Sequence, residues 1–158
     1  MLQHPMCDSE RDGGLFGWSW HVIDFSPEYV SGMSDKPVLQ PGPTHPITVT
    51  PTAGRVVVTS GGKVVADSRN SLTLQESTYP AVQYVPLADV DQTLLERTTT
   101  ESYCPFKGDA SYYSITSGGD RAVDSVWEYR NPHDAVAEIK DHVAFYPDRV
   151  DAIEIQTD

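Results

Sequence analysis

Arg55-Val56-Val57-Val58-Thr59 and Lys63-Val64-Val65-Ala66-Asp67 are β-branched runs joined by Ser60-Gly61-Gly62, and this pairing constrains the fold more than any other feature. Valine loses side-chain freedom in a helix but packs well on a pleated sheet. Adjacent glycines adopt the positive φ that a tight hairpin turn needs. The segment therefore predicts a β-hairpin. A second hairpin is predicted from Ala110–Thr116 and Arg121–Tyr129 around Ser117-Gly118-Gly119-Asp120. Leu72, Leu74 and Glu76 alternate on one face of a further strand, and Val82–Val85 gives another. Strands near Val143–Tyr146 and Val150–Ile155 close the chain. Two short helices complete the reading. Leu87–Arg97 carries Val90, Leu94 and Leu95 at helical spacing, and Asn131-Pro132 supplies an N-cap and N1 ahead of Ala135, Val136 and Ile139.

The two glycine turns echo one another. Thr59-Ser60-Gly61-Gly62 with Asp67-Ser68 recurs as Thr116-Ser117-Gly118-Gly119 with Asp124-Ser125, at a constant spacing of 57 residues. Val82-Gln83-Tyr84-Val85-Pro86 and Val90-Asp91 likewise resemble Val143-Ala144-Phe145-Tyr146-Pro147 and Val150-Asp151. Each half would run hairpin, crossover, strand and proline turn. The implied architecture is a mainly β protein, a small sandwich or barrel of two pseudo-repeated hairpin halves.

Residues 37–158 read as one such domain, opened by a proline-rich lead-in from Pro37 to Pro51 with a short apolar stretch at Ile47-Thr48-Val49. Residues 1–36 differ in character. Up to residue 32 they hold one basic residue, Arg11, against five acidic ones, and Phe16, Trp18, Trp20 and Val22 alternate with small or polar residues. Two readings stand: an extension upstream of a start at Met33, or a tail whose tryptophans dock on the core.

The 158-residue chain carries a formal charge of −12 and a pI near 4.6. Nucleic-acid binding rests on Lys and Arg neutralising phosphates, and here they are few and scattered, so no nucleic-acid partner is expected. No apolar run reaches the roughly 20 residues that cross a bilayer, and no signal-peptide pattern opens the chain. Two cysteines, Cys7 and Cys104, allow one bridge but make no disulfide framework. That pattern fits a reducing compartment, and the cytoplasm is the expected location.

The candidate site centres on Tyr103-Cys104-Pro105-Phe106-Lys107-Gly108. A thiol acts as a nucleophile only as thiolate, which a nearby cation favours, so Cys104 and Lys107 form a possible pair. The alternative is a buried, inert cysteine. Lys107 also suits a carboxylate, a phosphate or a Schiff base, or is a plain turn lysine. Glu76 faces inward with Leu72 and Leu74. It is either paired, with Lys107 or Arg69, or tuned for acid–base work. His142 could act as base to Cys104, or be a surface histidine. Tyr84, Tyr112, Tyr113, Trp127, Tyr129 and Tyr146 form an aromatic set with polar tips, suited to a pocket or to a β core. Cys104, His142, Glu76 and His45 lack the spacing of a metal site, so no metal and no cofactor is expected.

Several stretches together resemble a bacterial and fungal family, number 427 among the domains of unknown function, also labelled nucleotidyltransferase-like. They are Val64 to Arg69, Leu72 to Glu76, Tyr84-Val85-Pro86 with Asp89-Val90, Cys104 to Gly108, Val126-Trp127 with Tyr129, and Val143 to Pro147. The resemblance runs from about Pro46 to Asp151 and implies a β-tent fold similar to that of methionine sulfoxide reductase B. It implies no activity. The Cys-x-x-Cys zinc pairs of other β-tent proteins are missing, as are a phosphate loop and closely spaced aspartates for Mg²⁺.

The expected function is binding of a small anionic metabolite. Cys104, Lys107, Glu76 and His142 would be its reactive residues, and Arg69, Tyr84, Tyr113, Trp127 and Tyr129 its ligand contacts. A non-catalytic interaction or scaffold module and a nucleotidyltransferase-like enzyme are the alternatives.

Overall fold

The computed structural model describes residues 37–157. The aromatic strand expected near Trp18 and Trp20, the start at Met33 and the cysteine Cys7 lie outside these residues. The described chain is mainly β, with ten strands in two antiparallel sheets and no closed barrel.

The strands are β1 (Ile47–Pro51), β2 (Arg55–Ser60), β3 (Lys63–Ser68), β4 (Leu72–Glu76), β5 (Val82–Pro86), β6 (Leu95–Cys104), β7 (Gly108–Ile115), β8 (Val126–Tyr129), β9 (His142–Phe145) and β10 (Ala152–Gln156). Seven of them form one sheet in the order β1-β4-β5-β9-β8-β7-β6, and the other three form β10-β2-β3. The first predicted hairpin is β2–β3. Gly61 and Gly62 take φ of 63° and 80°, the pair of positive angles a two-residue hairpin turn needs. The second is β7–β8, closed by a 3-10 segment over Thr116–Ala122 in place of a tight turn.

The two echoed turns meet. Ser117 Oγ donates to the Ser60 carbonyl at 2.8 Å. A Cβ on Gly61 would lie 1.7 Å from the Ser117 carbonyl oxygen, and one on Gly118 would lie 2.5 Å from Ser60 Oγ. Glycine is required there because two backbones touch. The second echo also forms a contact, since β5 and β9 are neighbours with Val85 opposite Val143.

The helix expected over Leu87–Arg97 is not formed. Two 3-10 turns, Leu87–Asp89 and Gln92–Leu94, lead directly into the ten-residue β6. Tertiary pairing overrides the helical spacing here. Val90 bridges Ala66, and the Asp91 amide donates to the Val65 carbonyl at 2.7 Å, which holds this stretch extended against β3. The run Thr98-Thr99-Thr100 then favours a strand. Its ladder breaks between Arg97 and Glu101, and Asp124 accepts from both Thr98 Oγ1 and Thr100 Oγ1 at that irregularity, at 2.6 and 2.7 Å. The helix expected after Asn131-Pro132 is a 3-10 segment, Asp134–Ile139, which buries Val136 and Ile139.

The interior divides into two clusters. Val56, Val58, Val65, Val85, Ile115, Val126, Val143 and Phe145 belong to an aliphatic one that includes β2, β3 and residues of the large sheet facing them. Leu74, Tyr84, Cys104, Phe106, Tyr112, Trp127, Tyr129 and Tyr146 belong to an aromatic one.

Candidate functional site

The aromatic cluster contains an ion pair. Glu76 ends β4, whose alternation carries Leu74 and Glu76 inward together. Lys107 sits in the turn between β6 and β7, with its amide donating to the Cys104 carbonyl at 3.1 Å and its carbonyl accepting from His133 at 2.9 Å. Gly108 opens β7 at φ 117°, a conformation that side chains disfavour. Lys107 Nζ donates to Glu76 Oε1, and both side chains are completely buried. His45 completes the group from the lead-in, with Nε2 2.7 Å from Glu76 Oε2 and its ring stacked on Phe106 at 4.1 Å and 7°. A Gly42–His45 turn with reciprocal backbone bonds holds that histidine in place.

Tyrosines surround the ion pair. Trp127 Nε1 donates to the Tyr84 hydroxyl at 3.1 Å, and the two rings stand edge to face at 6.3 Å. The Tyr112 hydroxyl bonds Ser102 Oγ at 2.8 Å and also the Tyr146 hydroxyl. Trp127 packs on Tyr146 at 4.7 Å. Burial pushes the Tyr84 and Tyr146 phenols well above the usual range, and Tyr129 also, with the charge of Glu76 a smaller contribution for Tyr84 and Tyr129. These tyrosines are neutral hydrogen-bonding groups at any ordinary pH.

The expected site residues thus separate. Glu76, Lys107, Tyr84, Trp127 and Tyr129 gather in one cluster, and Cys104 belongs to it too, at the end of β6 beside the Lys107 turn. Cys104 is wholly buried and its sulfur is disulfide-bonded; among the described residues no cysteine is free. In this state the sulfur is not available as a nucleophile. His142 starts β9 and bonds the Lys140 carbonyl through Nδ1 at 2.8 Å, and no bond links it to Cys104. Arg69 is exposed beyond β3, and Lys107 takes the role of partner to Glu76. Tyr113 points elsewhere, donating to Glu128 at 3.0 Å. His45 was not legible as the third member, because only the turn at Gly42 brings it to Glu76. Among the described residues no group of three or more His, Cys, Asp and Glu side chains is placed to hold a metal ion, and no helix is long and apolar enough to cross a membrane.

The open space lies between the sheets, against Trp127. A cleft of about 410 Å³ runs between the sheets, walled by Val58, Val82, Phe145, Pro147 and Ile153 and reaching Trp127. Gln83 is among its few polar residues. Trp127 therefore borders the apolar cleft while its N–H is bonded into the buried polar cluster.

A two-sheet antiparallel β domain with a tyrosine-rich core around a buried ion pair is the class these features define. The chain belongs to the family described as Domain of unknown function (DUF427), whose profile matches residues 48–156. No curated protein matches the chain.

Proposed function

We propose that this protein binds a small, largely apolar molecule in the cleft between its sheets. The observation that carries the reading is the cleft itself, about 410 Å³ in volume and walled almost entirely by apolar side chains. Ligand pockets commonly span roughly 300–1,000 Å³, with apolar walls and few orienting polar groups. The orienting group available here is Gln83 Nε2, since Gln83 Oε1 accepts from Thr52 and Thr73 and the Trp127 N–H is given to Tyr84. An anionic ligand held by Lys107 has less support, since Glu76 already answers that charge and both are buried. Thiol chemistry at Cys104 plays no part in this reading.

Indole and naphthalene are suitable probes. Either should give saturable shifts of the Trp127 indole resonance and raise the melting temperature as its concentration rises. Ala81→Trp, at an exposed wall position, should fill the cleft and abolish both responses while the variant stays folded. Probes that leave Trp127 unmoved, or move it equally in Ala81→Trp, would overturn the reading.

The interaction-module alternative draws support from the same face. β10 is an edge strand beside the cleft, and its Ile155 is 47 % exposed. Edge strands recruit extended segments. The nucleotidyltransferase-like reading draws no support from any glycine-rich phosphate loop in the sequence.

A further inference from the structure

The geometry points to a second binding site, lined by none of the ion pair's residues, for a small zwitterion carrying both a carboxylate and an ammonium group. Strands β5, β9 and β8 are neighbours at the centre of the large sheet and run antiparallel, so the end of β5, the start of β9 and the end of β8 share one sheet margin. Leu87, Asp141 and Arg130 stand just beyond those three strand ends. With Glu128 and Asn131 they line a polar cleft of about 420 Å³. The Leu87 amide donates to the Asp141 carbonyl at 2.9 Å, which fixes the two loops against each other.

The cation in this cleft is pre-oriented. Glu128 is nearly buried, its side chain 5 % exposed, and its Oε2 accepts from Arg130 Nε at 2.7 Å and from the Tyr113 hydroxyl at 3.0 Å. The guanidinium is thereby held by one edge, and its only other bond is a long 3.5 Å contact from Nη2 to Tyr113. Its outer N–H groups are left for a ligand, in the fork geometry that grips a carboxylate through two parallel bonds. Glu128 does the positioning, and Arg130 and Asn131 are the groups offered.

The anion is Asp141. It immediately precedes β9, in the left-handed region at φ 65°, a conformation that costs a non-glycine residue energy and is often found where a side chain must be aimed. Its carboxylate makes no hydrogen bond or ion pair among the described residues. An unanswered carboxylate and a half-answered guanidinium bordering one cleft complement a ligand bearing the reverse pair of charges. Leu87 supplies an apolar wall for a short side chain. A free α-amino acid has this make-up. The site lies apart from the inter-sheet cleft and shares no lining residue with it.

The test is a titration of the isotope-labelled protein, followed by amide resonances, with L-leucine, with leucinamide (ammonium only) and with 4-methylpentanoate (carboxylate only). L-leucine should saturate with shifts clustered at Leu87, Arg130, Asn131 and Asp141. It should bind at least about tenfold tighter than either half-ligand, because each loses one charge-assisted contact. Arg130→Met should abolish binding of L-leucine and 4-methylpentanoate alike. Asp141→Asn should keep the carboxylate contact but reduce L-leucine to the affinity of 4-methylpentanoate. Both positions are exposed, so the variants should retain the wild-type spectrum elsewhere. Absence of saturation, shifts mapping to Trp127 and Phe145 instead, or an undiminished preference for L-leucine in Asp141→Asn would each overturn the proposal.

Discussion

The two halves of the interior solve the same packing problem with opposite chemistry. The cluster under β2 and β3 is built from valine, isoleucine, alanine and phenylalanine, and asks only that volume be filled. The cluster under β4, β7 and β8 buries tyrosine hydroxyls, an indole N–H, a lysine and a glutamate, each of which must find a partner. An apolar cluster tolerates repacking if volume is kept. A buried polar network fixes one arrangement, because an orphaned donor or charge costs more than a satisfied one contributes. The first gives the sandwich its thickness, and the second determines which residue touches which.

That contrast can be broken experimentally. The largest effect is expected from Lys107→Met, which leaves Glu76 buried without its cation and should cost about 3–5 kcal/mol in chemical denaturation. Adding Glu76→Leu to it should recover most of the loss, because the uncompensated charge then disappears. If the double variant is as unstable as the single one, the pair acts through packing and the contrast fails.

Alkaline pH should come next. The folded chain holds the Tyr84 and Tyr129 phenols well above their ordinary value near 10, by burial. Below about pH 10 both are neutral folded or unfolded, and their burial has no pH-dependent cost. Above it the unfolded chain releases protons that the folded chain retains, so stability falls as pH rises, by up to about 1.4 kcal/mol per pH unit for each. Denaturation midpoints between pH 9 and 11 check the slope, and Tyr84→Phe should reduce it.

At neutral pH, Tyr84→Phe should cost about 1–3 kcal/mol, because Trp127 Nε1 loses its acceptor in a buried place. Ile115→Val, in the aliphatic cluster, should cost only about 0.5–1.5 kcal/mol. Equal losses from these two substitutions would show that the polar cluster is no more exacting than the apolar one.

Much of the fold was legible because its signals are local. β2, β3 and β4 follow from β-branched runs, glycine pairs and the alternation Leu72-Leu74-Glu76. β6 was hidden because Val90, Leu94 and Leu95 carry helical spacing by coincidence, and the pairing of Val90 with Ala66 that overrules it joins distant residues. The site divides the same way. Inward-facing Glu76 implied a partner, and Lys107 was one of two named. His45 gave no signal, since a histidine in a proline-rich lead-in looks like any surface histidine until a turn sets it on Phe106. The cleft was illegible for another reason: its walls come from both sheets, from residues as far apart in sequence as Val58 and Ile155.

Thr-Ser-Gly-Gly is spelled twice in this chain and read in two ways. At Ser60 it is a hairpin turn with both glycines at positive φ, while at Ser117 it lies in a 3-10 segment with only Gly119 positive. The Ser117 hydroxyl bonds the Ser60 backbone, and the Ser60 hydroxyl returns no such bond. Two identical words in contact thus become donor and acceptor, like two hands of one pair in a clasp. A shape dictionary indexed by short peptides would define both alike, and it would mistranslate one of them.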